Sequence, residues 1–247
     1  MEARTETQCD MRAVVLAGGK GRRLEPYTIS FPKPLVPVDN MPILEIVCRQ
    51  LAACGFKRVT MAVGHLAELL VAYFGDGSRW GLEIDYSRED EPLGTVAPLA
   101  LIDDLPETFL VMNGDVLTTL KYDQLVAYHE RSGAALTIAC HRCSTQIDLG
   151  IIEFNGQMHV TGYREKPTLS YDVSMGVYVF NRSVLDRVEP GQYLDFPRMV
   201  NLMLDRDLPI KVFLSDDLWL DIGRPEDYAR ASKSFQDLRG QFLPPEG

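Results

Sequence analysis

The chain has 247 residues, 46% of them hydrophobic and 24% charged, which suits one substantial core and excludes a disordered, fibrous or collagenous protein. Its 25 basic residues against 35 acidic ones give a net charge of -10, which disfavours nucleic acid and anionic membrane as partners. No apolar run approaches the roughly 20 residues of a membrane-spanning helix, the opening MEARTETQCD is polar, and five scattered cysteines fit reduced thiols better than a disulfide framework. A soluble, cytoplasmic protein is expected.

Residues 11–17 (MRAVVLA) read as a buried strand that ends in glycines. A Gly- and Pro-rich stretch follows, then a helix over 42–54 in which Ile43, Leu44, Val47 and Leu51 share one face. Pro42 suits its first turn and Gly55 its cap. The pattern continues as strand 58–63, helix 66–74, strand 82–86, helix 94–102, strand 109–112, helix 122–131 and strand 134–139. This alternation predicts an α/β fold, a Rossmann-like, mostly parallel sheet with helices on both faces. Residues 150–180 switch to short strands, a small β-rich portion inside or beside the sheet. No hexapeptide period announces a C-terminal β-helix. One domain over 11–237 is expected, with 1–10 and 238–247 as loose termini.

Chemistry concentrates in 16–34, LAGGKGRRLEPYTISFPKP. Gly18, Gly19 and Gly21 let backbone N–H groups approach an anion. Lys20, Arg22, Arg23 and Lys33 against Glu25 leave a local charge of +3 in an acidic chain. A solvated surface turn is the plain alternative, but a position after the first strand of an α/β sheet favours a polyphosphate site. A P-loop is excluded because neither Gly18 nor Gly19 is continued by Gly-Lys-Ser/Thr at the required spacing. A dinucleotide fingerprint is excluded because Leu24 stands where its third glycine belongs.

The segment LAGGKGRRLEP followed by FPKPLVPV resembles the N-terminal signature of the sugar-1-phosphate nucleotidyltransferases. The resemblance continues through EPLGT at 91–95, NGD at 113–115, EKP at 165–167, SMGVYVF at 174–180 and WLDIGRPEDY at 219–228. The EPLGT form is most similar to that of mannose-1-phosphate and heptose-1-phosphate guanylyltransferases. The resemblance implies attack by a sugar 1-phosphate oxygen on the α-phosphorus of an NTP, GTP by preference and UTP as rival. It also implies Mg²⁺ as cofactor. Such a nucleophile is already anionic, so the catalyst must chiefly align two polyanions and neutralise their charge.

Asp115 follows the strand FLVMN and Asp221 the stretch DLWL, and carboxylates at two strand ends can converge on one Mg²⁺. A turn or helix-cap role is the other reading of either residue alone. The resemblance makes both metal ligands, sets Arg23 on the NTP phosphates and Lys33 on the departing pyrophosphate, and brings Lys166 to the sugar phosphate. It assigns Glu165, Ser174 and the Gly150 backbone to the sugar, and Leu16, Ala17, Gly18, Gly19, Gly21, Arg22, Glu91 and Gly94 to the nucleotide. Arg22 replaces a usual threonine, Val96 and Ala97 a common Ala-Gly, and Ser174 and Met175 a frequent Asn-Ala, which leaves the sugar open. Assembly into a homo-oligomer stays open too. The C-x-x-C at Cys140 and Cys143 has no second ligand pair and reads as inert. A catalytically silent, nucleotide-sugar-binding regulatory subunit is the reading from another class, and retention of Asp115, Asp221, Arg23, Lys33 and Lys166 counts against it.

Overall fold

A computed structural model describes residues 11–189 and 191–243. Seven strands, β1 (Arg12–Ala17), β2 (Arg58–Val63), β3 (Glu83–Arg88), β4 (Thr108–Asn113), β5 (Leu136–Gln146), β6 (Thr168–Asn181) and β7 (Ile210–Ser215), form one sheet. Their order is β7, β5, β6, β4, β1, β2, β3. β1 runs parallel to β2 and β4, β2 to β3, and β5 to β7, while β6 alone runs antiparallel to its neighbours β4 and β5. The chain leaves β1 in one direction to build β2 and β3, then returns to lay β4 on its other side. The loops after β1 and β4 therefore open side by side, with Leu16 opposite Asn113 in register, at the switch point where such sheets bind ligands.

Strand β1 is buried on both faces, which explains its unbroken apolar run. Ala13 and Val15 pack beneath α1 (Ile43–Ala53), α2 (Ala67–Phe74) and α3 (Tyr122–Ser132), against Leu44, Leu51, Leu70 and Leu125. Val14 faces the opposite layer, where α4 (Phe196–Leu204) contributes Met199 and Met203 beside two short 3₁₀ segments. A third cluster packs α5 (Pro225–Phe242), through Ala231, Phe235 and Phe242, onto Ile43 and Ile46 of α1. Leu24, from the glycine-rich loop, is fully buried in that cluster and so ties the loop to the body.

Several expected elements differ in extent. The helix expected at 94–102 is a five-residue 3₁₀ segment, Ala97–Leu101. Pro98 lies inside it, and the N–H groups of Val96 and Ala97 donate to the Leu194 carbonyl, which fixes the entry to another element. The strand expected at 134–139 runs on to Gln146 because β6 pairs with it from Thr168 opposite Gln146 to Phe180 opposite Leu136. Residues 150–180 therefore hold two short strands, Ile151–Phe154 and Val160–Arg164, and one of 14 residues, β6. Pro42 precedes α1 as its N-cap, and Gly55 takes the left-handed conformation (φ 88°) that closes it.

The expectation of a loose end over 238–247 is corrected in its first half. α5 extends to Phe242, whose ring lies 5.5 Å from that of Phe235 and whose carbonyl accepts from Gln50 Nε2 at 2.8 Å. The amphipathic pattern of α5 continues past 237 and carries the chain with it. Residues 1–10 and 244–247 of the expected loose termini lie outside the described residues.

Candidate active site

A cleft of about 830 Å³ lies across the carboxyl ends of β1, β2, β3 and β4. Of the residues assigned from sequence, Leu16, Ala17, Gly18, Gly19, Gly21, Arg22, Arg23, Lys33, Glu91, Gly94 and Asp115 all line it. The loop after β1 is shaped locally. Gly21 sits at φ 62°, where a Cβ would fall 2.9 Å from Thr28 Cγ2, and its carbonyl accepts from Leu24 N–H at 2.8 Å and from Thr28 Oγ1 at 2.9 Å. The turn so closed sends Leu24 into the core and leaves Arg22 and Arg23 exposed at the cleft. Lys33 stands between Pro32 and Pro34 in a 3₁₀ turn, its side chain nearly buried and ion-paired with Asp115.

Asp115 follows β4 after Gly114, and a Cβ on Gly114 would stand 3.1 Å from the Leu16 carbonyl. This close approach holds the turn against β1. Asp221 ends a short strand, Trp219–Asp221, that pairs antiparallel with Val116–Thr118, with Asp221 opposite Val116. The two carboxylates, 106 residues apart in sequence, are thereby brought to adjacent strands. Asp221 thus closes a short strand, and α5 starts only at Pro225. Although Asp221 keeps an open side, the protein crowded around it pushes its carboxyl up by loss of water. The Asp115 charge acts in the same direction, and Lys33 and Arg23 pull it back down. Two carboxylates that feel each other's charge therefore stand beside two cations, Lys33 and Arg23. Among the described residues no cluster of three or more His, Cys, Asp or Glu adds a further ligand.

The opposite end of the cleft is acidic, lined by Glu89, Asp90 and Glu91. Gly94 is held at φ 93°, and a Cβ there would lie 2.5 Å from the Leu194 carbonyl oxygen. The remaining sequence-assigned residues, Gly150, Glu165, Lys166, Ser174 and Asp221, do not line the cleft, although Gly223 just after Asp221 does. Glu165 and Lys166 follow the strand Val160–Arg164, exposed, with Lys166 at φ 43° and Glu165 accepting from the Tyr163 hydroxyl at 2.8 Å. Tyr163 also packs on Gly150, where an added Cβ would stand 2.1 Å from its hydroxyl and push the exposed ring aside. Ser174 lies on β6 and donates to the Tyr178 hydroxyl at 3.1 Å.

Residues 12–237 match the family model described as nucleotidyl transferase. The chain belongs to the nucleotidyl transferase family. It is 36% identical over 228 residues to a mannose-1-phosphate guanylyltransferase of Mycobacterium tuberculosis, covering 89% of this chain and 63% of that protein. It is 32% identical over 245 residues to a UTP–glucose-1-phosphate uridylyltransferase of Synechocystis, covering 90% of this chain and 62% of that one. The chain thus spans less than two thirds of the length of the curated relatives it matches. The crystal structure of HddC from Yersinia pseudotuberculosis complexed with GMP-PN shares the fold, with a TM-score of 0.70 at 23% identity over 91% of this chain and 99% of that one.

Within this family fold, sequence reasoning passed over Glu89, Asn113 and Tyr193, which also line the cleft. Glu89 directly follows β3, and strand-end position in a parallel sheet is the signal that finds it. Tyr193 comes from a segment about a hundred residues downstream of EPLGT. The hydrogen bonds of Leu194 to Leu93, Val96 and Ala97, and that of Phe196 N–H to Thr95 Oγ1, bring it to the cleft.

Proposed function

We propose that the chain transfers a nucleotidyl group from an NTP, GTP by preference, to a sugar 1-phosphate, giving an NDP-sugar and pyrophosphate. The observation that carries this reading is a cleft at the switch point of the sheet lined by a cationic glycine-rich loop and Asp115, with Asp221 brought near Asp115 by strand pairing just outside the lining. The names of both curated relatives support it as a sugar-1-phosphate reaction, and the uridylyltransferase keeps UTP as the rival nucleotide.

In this reading a phosphate oxygen of the sugar 1-phosphate bonds to the α-phosphorus as the α–β bridging bond breaks and pyrophosphate leaves. Backbone amides of Gly18 to Gly21 with Arg23 hold the triphosphate, with Arg22 adding a further cation. Lys33 steadies the leaving pyrophosphate, and Lys166 holds the sugar phosphate in line while Glu165, Ser174 and the Gly150 backbone meet the sugar. No base is needed because the nucleophile arrives as an anion. Asp115 and Asp221 would hold a divalent cation, Mg²⁺. The fit is supported by the Lys33 ammonium, which already meets Asp115 there as a cation, and by an all-oxygen donor pair that leaves positions for water and phosphate. Such an ion would supply neutralisation of the charge that develops on the transferred phosphoryl group. We place the activity in a single unit over 11–237, working in the cytoplasm. No helix among the described residues is long and apolar enough to cross a membrane.

The test is pyrophosphate release with Mg²⁺, each common NTP being offered against a panel of hexose and heptose 1-phosphates. Release with at least one pair, abolished by chelation, is expected. Silence across the panel with tight binding of an NDP-sugar would replace the enzyme by a regulatory subunit.

A further inference from the structure

We infer that a second, smaller cavity behind Tyr193 binds a compact organic phosphate and, once filled, tightens the hold of the cleft on the NTP. The coupling rests on the nucleotidyl-transfer reading above, and the binding does not. The cavity measures about 170 Å³ and lies against one face of α4. Its floor is apolar, with Leu194, Met199 and Met203 buried. Its rim carries three exposed arginines from separate places: Arg187 at the end of a 3₁₀ segment, Arg198 in the first turn of α4, and Arg206 just beyond its last. Among the described residues no ion pair includes any of the three. The one acid among the described lining residues, Glu189, accepts from Gln192 Nε2. Three guanidinium groups against one carboxylate leave +2 on the wall, in a chain whose net charge is -10. A phosphate monoester dianion cancels that charge, and its oxygens match the guanidinium fork two at a time. The space is far below the 830 Å³ of the cleft and below the roughly 300 Å³ at which drug-sized pockets begin. It takes a phosphate with a body of a few carbon atoms on the apolar floor, and excludes a nucleotide.

The two cavities share a wall. Tyr193 lines both, and Leu194 beside it lines the smaller one. The Leu194 N–H donates to the Leu93 carbonyl at 2.8 Å, and its own carbonyl accepts from the N–H groups of Val96 and Ala97 at 3.0 and 3.2 Å. Phe196 N–H donates to Thr95 Oγ1 at 2.8 Å. These bonds hang the loop at 93–97, one wall of the cleft, on the start of α4. Asp195, between the two attachment points, caps α4 by accepting from Arg198 N–H at 3.0 Å, and the Arg198 side chain stands at the small cavity. A phosphate that bridges Arg198 and Arg206 to Arg187 therefore stiffens the segment from which the loop hangs. A loop ordered in advance costs the NTP less to order, which is positive coupling. By reciprocity the NTP tightens the phosphate ester by the same factor.

The experiment uses the full chain, with phenyl phosphate and inorganic phosphate as probes and R198A/R206A as the variant. Neither arginine lines the cleft and both are exposed, so the variant should fold and keep its basal turnover. By calorimetry the unaltered protein is expected to bind phenyl phosphate about tenfold more tightly than inorganic phosphate, because the ring covers the apolar floor. R198A/R206A should lose about a hundredfold of that affinity, the worth of two charge-assisted contacts. In pyrophosphate release with Mg²⁺, phenyl phosphate should lower KM for the NTP about fivefold in the unaltered protein and leave it unmoved in the variant. Equal affinity of the two proteins for phenyl phosphate overturns the site, and inorganic phosphate bound as tightly as the ester overturns the place given to an organic body. A KM that rises in both proteins is plain competition at the phosphate loop and overturns the coupling, as does a KM that stays constant in both. Absence of turnover with every NTP removes nucleotidyl transfer, and calorimetry then decides the cavity by itself.

Discussion

The two halves of the proposed site are built to opposite standards. The nucleotide half rests on β1, β2 and β4, whose residues are buried almost throughout, and its polar groups are already tied down, Lys33 to Asp115 and Glu89 to Leu93 N–H. The sugar half rides on the strands Ile151–Phe154 and Val160–Arg164, of which only Ile151 and Gly162 escape full exposure. Its internal ties are surface contacts such as Arg164 to Glu153 at 3.0 Å and Tyr163 to Glu165. Preorganised charge is most effective where charge develops in the reaction, and exposed segments with few buried contacts open at low cost. On the proposed function the triphosphate would meet a preorganised cradle, and the sugar an arm with few buried contacts that its ligand would order.

The strongest test of this contrast lies at the carboxylates. Asp115→Asn or Asp221→Asn should lower the rate of pyrophosphate release by about 10²- to 10³-fold, comparable to the loss of one preorganised transition-state contact. The thermal midpoint should move little for Asp221→Asn, whereas Asp115→Asn also leaves the nearly buried Lys33 ammonium without its ion-pair partner and should lower it. Near-normal turnover in both would dissolve the proposed metal site.

Next in size is the rigidity of the nucleotide half. Gly94→Ala forces a side chain into φ 93° and against the Leu194 carbonyl, a backbone atom that cannot swing aside. A loss of about 2 kcal/mol in urea unfolding is expected, together with weaker NTP binding. Unchanged stability would show that the loop at 91–95 is as yielding as the arm.

How far each half was legible in the sequence follows from the same physics. The strands of the nucleotide half announce themselves as apolar runs ended by glycines. Its loop shows as a knot of Gly, Arg and Lys in an acidic chain, because backbone approach and charge leave residue-type signatures. The long β5 and β6 were shortened in the reading because their outer halves, Arg142 to Gln146 and Thr168 to Asp172, are exposed apart from half-buried Cys143 and pair only with each other. The segment 94–102 reads as a helix in the sequence, and Pro98 within it together with a hydrogen-bonded partner a hundred residues away decides otherwise. Glu89 escaped for a related reason. Its place in the cleft depends on Gly18 and Gly64 lying beside it in space, a juxtaposition created by the order of β1, β2 and β3.

A smaller effect should mark the sugar half. Lys166→Ala is expected to raise KM for the sugar 1-phosphate about tenfold, the range of one charge-assisted contact at an exposed position, with KM for the NTP nearly constant. An equal effect on both substrates would move Lys166 off the sugar phosphate and weaken the division of labour between the halves.

The smallest effect is the most direct measure of how loosely the arm is held. Ile152 is 55% exposed, so Ile152→Ser removes little buried apolar area, and its cost in urea unfolding should stay within about 0.5 kcal/mol. Leu44→Ala in α1, fully buried beneath β1, should cost about 2–5 kcal/mol by the cavity it leaves. If Ile152→Ser approached the Leu44→Ala value, the arm would have to be covered by contacts outside those described here, and the ordering of the sugar half by its ligand would lose its basis. A small cost at Ile152 together with protection of the hairpin amides from hydrogen exchange on adding NDP-sugar would bind the two observations into one account, since a segment cheap to open in the free protein is the one a ligand can close.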